Sequence, residues 1–269
     1  MTSTLGLGWL LANRDLKARF TGSVLGIGWL LLLPLLMTTL YTSVFWGVFQ
    51  ARWPSVQPPE VSSGAMQAFE FGLKLFAGLA AFQFFAEVSV RATRAITDNA
   101  PLVKRLQFPA VALVLSIVFS GAVAMLIGLA LCVALSGAVF GRLPDLILLG
   151  LGLGMLFLMT SGAALLLAAL STYLRDIQQL MPALTAALLF VSPVFYPSSK
   201  APGLLGSILM FNPLSAPIEV IRVGIFVETL ATIGLTWPGL AVRVVAALVL
   251  FLAGWWVFQR LKSGFADLI

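Results

Sequence analysis

Residues 21–51 contain no charged side chain, and a helix needs only ~20 apolar residues to cross a bilayer. A soluble core has no place for such a run, so the chain is expected to lie in a membrane. Uncharged runs over 106–141 and 146–174 repeat the constraint. The totals agree with it. Hydrophobic residues make up 60% and charged residues 10%, whereas soluble domains hold about half and about a quarter. Mean hydropathy is +1.05.

The spans are read at about 23–49, 69–90, 110–140, 146–171, 178–196 and 237–258. The first contains Pro34, which predicts a kink. The second is the least apolar, and its charges fall into two i,i+4 pairs with the acid first, Glu70 with Lys74 and Glu87 with Arg91, the favourable order on a helix. Glu87 and Arg91 are candidates for a functional pair within the membrane; the preferred reading is a boundary pair that stabilises a helix end. Spans three and four, joined at residues 141–145, are expected to pair antiparallel.

Ahead of the first span, Leu5, Trp9, Ala12, Leu16 and Phe20 recur at spacings of three and four, with Arg14 and Lys17 mostly elsewhere around the helix. This predicts an amphipathic interfacial helix over 1–20, the alternative being a charged leader that only sets topology. No A-x-A cleavage pattern follows, so the first span is expected to remain in the mature protein. Residues 197–236 contain Pro202, Asn212, Pro213 and Pro217 but are too apolar for a solvated loop. They are expected to form two short re-entrant or interfacial helices beside a pathway, because irregular backbone at membrane depth must be covered by protein or water.

The fold class is therefore all-α integral membrane, with six transmembrane helices, an N-terminal interfacial helix and short gate helices between spans five and six. A cytoplasmic N-terminus gathers Arg14, Lys17, Arg19, Arg91, Arg94, Lys104, Arg105, Arg175, Arg260 and Lys262 on one side, ten against six. The positive-inside rule then places both termini in the cytoplasm. The net charge of +6 reflects this orientation; nucleic acid is not expected as a partner. Lys200 and Arg222, near the outer gate, offer a weak pull on an anionic polymer but are expected to be exposed charges of topology or solubility.

Catalytic chemistry finds little support. The sequence has no histidine, one cysteine (Cys132), no G-x-x-x-x-G-K-[ST], no G-x-G-x-x-G and no H-E-x-x-H, so neither a phosphate-cradling loop nor a zinc ligand set is present. No catalytic residue, metal site or cofactor is assigned to the chain. The loop over 97–108 begins with Asp98 and Asn99 as capping residues, has Pro101 in a first turn and ends in Lys104 and Arg105. It reads as a short surface helix or equally as a plain connection. Tyr41, Phe45 and Phe49 recur every four residues near Trp46 and Trp53, as an aromatic belt at the membrane edge or as a pathway with aromatic walls.

Taken in order, the segments 14–20, 22–26, 34–36, 102–105 with Phe108 and Pro109, 173–176, 192–197, 212–214 and 265–267 resemble the membrane subunits of ABC exporters for polysaccharides and lipid-linked glycans, the group with the O-antigen, capsule and teichoic acid permeases. The resemblance runs over nearly the whole chain. It implies a homodimer in the bacterial inner membrane with two copies of a separate cytoplasmic ABC ATPase, which would hold ATP and Mg2+. Asp98, Asn99, Leu102, Lys104 and Arg105 would form the coupling helix on that ATPase, with Arg175 and Asp176 as a second contact.

Trp9, Arg14, Lys17 and Arg19 would belong to an interfacial gate helix, and the first and fifth spans would line the channel. Tyr41, Phe45, Trp46, Phe195 and Tyr196 are the candidates for the path of a lipid-linked glycan. Membrane lipids, and periplasmic export components as a further option, complete the expected partners. No soluble carbohydrate-binding extension is recognisable. The competing readings are a drug or lipid exporter of the same family, an ion-coupled secondary transporter, for which broken helices would be expected in both halves, and an intramembrane enzyme, for which no nucleophile and base are paired.

Overall fold

The computed structural model describes residues 4–50, 53, 64–104 and 108–265, and the description that follows concerns these. Ten α-helices follow one another: α1 (Thr4–Phe20), α2 (Trp29–Thr42), α3 (Gly64–Ala92), α4 (Ala100–Val103), α5 (Val111–Phe140), α6 (Leu146–Tyr173), α7 (Asp176–Phe190), α8 (Gly203–Phe211), α9 (Ser215–Phe226) and α10 (Trp237–Leu261). Among the described residues there is no strand.

Five stretches are long and apolar enough to cross a membrane: Trp29–Val48, Gly64–Ala92, Val111–Phe140, Leu146–Tyr173 and Trp237–Gly264. The first is α2 continued by a π-helical turn over Ser43–Val48. The pair α8 and α9 passes the same test but is bent by 89°. Helix α7, which carries the fifth expected span, has 15 residues, about 22 Å at 1.5 Å per residue. It stops in the turn before Pro193, because a residue ahead of proline is pushed out of the helical region.

At one end of the bundle α1, the last turn of α3, the first turn of α5 and the last turns of α6 and α10 come together. Trp9 of α1 sits edge-on to Phe119 of α5 at 6.3 Å. Ser171 of α6 donates to the Thr93 carbonyl at 2.6 Å, and Tyr173 donates to the Leu261 carbonyl at 3.0 Å. This is called the terminus end. At the far end lie the start of α3, the α5–α6 turn, α8 and the close of α9.

Helix α3 is the axle of the fold, buried along most of its length. Helix α6 packs chiefly on α10 and α9, while α5 packs on α1 and α3, so the short α5–α6 turn does not make these two helices each other's main partners. Small residues decide this. Without a hydrophobic force between helices in lipid, close backbone approach supplies the attraction. A Cβ on Gly162 of α6 would lie 2.6 Å from the Phe251 Cα of α10, and one on Gly254 would lie 2.8 Å from the Gly162 carbonyl carbon.

Small residues also set how α1 packs. Its buried ridge is Gly8 and Ala12, with Leu5 and Trp9 left 62% and 54% exposed. A Cβ on Gly8 would stand 3.1 Å from Leu115, so Gly8 lets α1 lie close on α5, while the exposed parts of Leu5 and Trp9 are left for lipid, as an interfacial helix requires.

Candidate functional site

An aromatic group forms where α2 meets the turn after α7. Phe195 is buried; it stacks on Phe45 at 5.0 Å and meets Tyr41 at 5.2 Å and Phe190 at 5.7 Å. Of the five expected path residues the structure brings Tyr41, Phe45 and Phe195 together. Trp46 turns the other way and packs on Phe71 of α3 at 5.8 Å. Tyr196 donates its hydroxyl to the Phe190 carbonyl, closing the turn.

What holds Phe195 is polar and buried. Asn212, between α8 and α9, donates to the Val191 carbonyl at 2.8 Å and to the Ser192 hydroxyl at 3.0 Å, and it accepts from the Leu214 amide at 2.9 Å. Arg222 of α9 donates to the carbonyls of Pro193, Val194 (2.7 Å) and Lys74 (2.8 Å). Its guanidinium lies 4.5 Å from the centre of the Trp53 ring. Arg222 is therefore a buried clamp, 3% exposed, and not the exposed charge expected from the sequence. Five donors in a fixed fork suit it to a turn whose carbonyls have no helical partners. Lys200 does stay exposed.

Beside the clamp lies a buried ionic frame. Lys74 is 1% exposed and meets Glu70 at 3.2 Å and Glu228 at 2.6 Å. Arg142, from the α5–α6 turn, reaches Glu70 at 3.0 Å. The expected Glu70–Lys74 pair is thus part of a four-residue network tying α3, the α5–α6 turn and the end of α9. Glu219 of α9 accepts from the Ser198 amide and hydroxyl, both at 2.8 Å. These residues escape sequence reasoning because their partners are distant in the chain. The available signal was two charges, Glu219 and Arg222, on an otherwise apolar helix.

At the terminus end Arg91 contacts Glu87 at 3.3 Å, as its spacing predicts, but also Asp15 of α1 at 2.7 Å and Ser120 of α5 at 3.0 Å. The pair is therefore a three-helix tie, more than a helix-end stabiliser. A cavity of about 310 Å³ opens beside it, lined by Arg14, Asp15, Arg94 and Asp98 among others. Arg14 and Lys17 of α1 are exposed. Arg19 lies in the helix, its side chain outside the described set.

The segment after α3 forms a 3-10 turn over Thr97–Asn99 and then α4. Pro101 stands at the helix start, but Asn99 makes no cap and donates back to the Ala95 carbonyl at 3.0 Å. Asp98 and Lys104 are exposed, and Asn99 and Leu102 half-buried. Arg105 lies outside the described residues. Arg175 and Asp176, where α6 passes into α7, are exposed at the same end.

A bundle of apolar helices with a broken, polar-clamped segment at one end defines a polytopic membrane protein. The family model for the ABC-2 type transporter matches residues 7–226, and the chain belongs to that family. It is a transport permease and not an enzyme. An O-antigen export system permease protein RfbA from Klebsiella pneumoniae is 24% identical over 263 residues, covering 96% of this chain and 93% of the relative. A second protein of that name from the same organism is 23% identical over 265 residues with the same coverage. One from Myxococcus xanthus is 29% identical over 191 residues, covering 70% and 67%.

Proposed function

We propose that this chain is the membrane subunit of an ATP-driven exporter that carries a polysaccharide or lipid-linked glycan, of the O-antigen or capsule class, across the inner membrane. The observation that carries this reading is its similarity along 96% of its length to O-antigen export permeases. The terminus end faces the cytoplasm, where two copies of a separate ATPase hydrolyse ATP. The complex contains two copies of this chain.

The geometry bears on the path and on the coupling. Helices α2 and α7 leave Leu32, Leu36, Leu40, Leu180 and Leu184 outward, and the group of Tyr41, Phe45 and Phe195 sits between them, so a second copy across these helices would enclose an aromatic-walled path. Aromatic faces make contact with sugar rings without needing fixed charges, which suits a long repeating substrate. The Arg91–Asp15 contact would pass movement of the coupling segment 97–108 to the interfacial helix α1.

Co-expression with its neighbouring genes and gentle solubilisation is expected to yield a soluble ATPase in equal amount with this chain. A chain that purifies alone and transports without ATP would overturn the reading. Within that complex, replacing Lys104 and Arg105 by Glu is expected to reduce export on the order of tenfold while ATP turnover and membrane insertion persist. Undiminished export by that variant would remove the coupling role of 97–108.

A further inference from the structure

A cavity of about 710 Å³ opens at the terminus end between α1, the end of α4, α5, α6 and α10. Leu115, Leu165, Phe251 and Trp255 form its wall, and Lys104 and Lys262 stand at its rim. Both lysines are exposed, and among the described residues no carboxylate lines the cavity and neither lysine forms an ion pair.

Its depth matches one leaflet. Phe251 and Lys262 lie on one continuous helical stretch, eleven residues apart, or ~16 Å at 1.5 Å per residue, and half of a ~30 Å hydrocarbon core is ~15 Å. Cations at the boundary with apolar wall up to the bilayer centre are complementary to a lipid that carries a negative headgroup. They do not suit a soluble anion, which would leave the wall uncovered, or a zwitterionic lipid, which has no net charge for two lysines.

We propose that this cavity seats an anionic phospholipid, its phosphate held by Lys104 and Lys262 and one acyl chain lying against Leu115, Leu165, Phe251 and Trp255. The leaflet is cytoplasmic under the orientation proposed above; the binding itself does not depend on that orientation or on the exported substrate. Because Thr4 and Leu5 of α1 and the end of α4 share the cavity, the lipid bridges the interfacial helix and the coupling segment.

The test reconstitutes the full chain in phosphatidylcholine vesicles doped with brominated phosphatidylglycerol or, in parallel, brominated phosphatidylcholine, and reads the part of the tryptophan quenching that Trp255→Phe removes. The expected result is that the glycerol lipid quenches this part at a lower mole fraction than the choline lipid. Lys262→Gln and Lys104→Gln each reduce that preference about fivefold, from ~1 kcal/mol per basic residue near a charged surface.

Equal quenching by both lipids makes the cavity an ordinary lipid-facing surface and overturns the proposal. Quenching that emerges only after removal of residues 266–269 makes the chain's own tail the occupant and overturns it equally. Native mass spectrometry supplies an independent reading, with a retained phosphatidylglycerol adduct expected for the parent chain and lost in Lys104→Gln/Lys262→Gln.

Discussion

Gly78→Ala is expected to unseat Arg222 and to cost nearly as much stability as removing that arginine. A Cβ at Gly78 would run into the guanidinium, with Cζ at 2.7 Å. The end of an arginine is normally free to swing aside. Here it is committed to the carbonyls of Pro193, Val194 and Lys74, and the space around it is closed. Moving it strands the carbonyls of Pro193 and Val194, since that of Lys74 keeps its helical partner within α3, and an unsatisfied buried group costs ~1–3 kcal/mol. Both Gly78→Ala and Arg222→Met should therefore lose ~3–5 kcal/mol, within the range for breaking a buried charged contact.

The measurement is unfolding in mild detergent or by steric trapping. Because both substitutions act on one interaction, Gly78→Ala/Arg222→Met should be little worse than Arg222→Met alone. Additive losses would show that Gly78 and Arg222 act separately. Loss of the clamp also frees the turn that carries Phe195, so export should fall in whatever fraction of the protein stays folded.

Lys74→Met is the second large effect. The ammonium sits between Glu70 and Glu228; Glu70 keeps Arg142, while Glu228 loses a cation 2.6 Å away. That contact is a charge contact more than an aligned hydrogen bond, since among the described residues the Glu228 Oε1 accepts none. Leaving a carboxylate buried without its counter-ion costs ~3–5 kcal/mol. The residue before Glu228, Val227, takes a left-handed backbone with φ of 57°, unusual for a β-branched side chain, where the amides of Val227 and Glu228 both return to the Val223 carbonyl and close α9.

Adding Glu228→Gln to Lys74→Met removes the uncompensated charge, so the double variant is expected to recover a measurable part of the loss. A double variant less stable than Lys74→Met would argue that Glu228 is held by something other than its charge. Replacing the whole frame with apolar residues of similar volume is a different experiment and need not destabilise, because desolvation of the ions offsets much of their attraction.

The apolar runs, the breaks at Pro202 and Pro213 and the helix-period charge pairs were legible in the sequence because each depends on residues within a turn or two of one another. The all-helical membrane class follows from that local chemistry, since backbone groups in lipid must be satisfied within the segment. The alternation of basic residues between loops was legible too, although two of the six cations assigned to the outer side, Lys74 and Arg222, are buried and say little about orientation. Tyr41 and Phe45 could be paired by spacing. Their meeting with Phe195 could not, because about 150 residues separate them.

Among the site residues, sequence spacing found Glu70 with Lys74 and Glu87 with Arg91, and missed Arg142, Glu228, Asp15 and Ser120, the partners that convert local pairs into ties between helices. The apolar stripe of α1 included Ala12, which is buried, but not Gly8, whose contact with Leu115 lets α1 approach α5. Periodicity measures how apolar a face is, whereas close packing between helices rewards how small it is. Local pattern thus determined which segments enter the membrane and where they break. Tertiary structure alone decided which helices touch and which buried charges are paired, because those depend on side-chain volume and on partners that the linear order does not bring near.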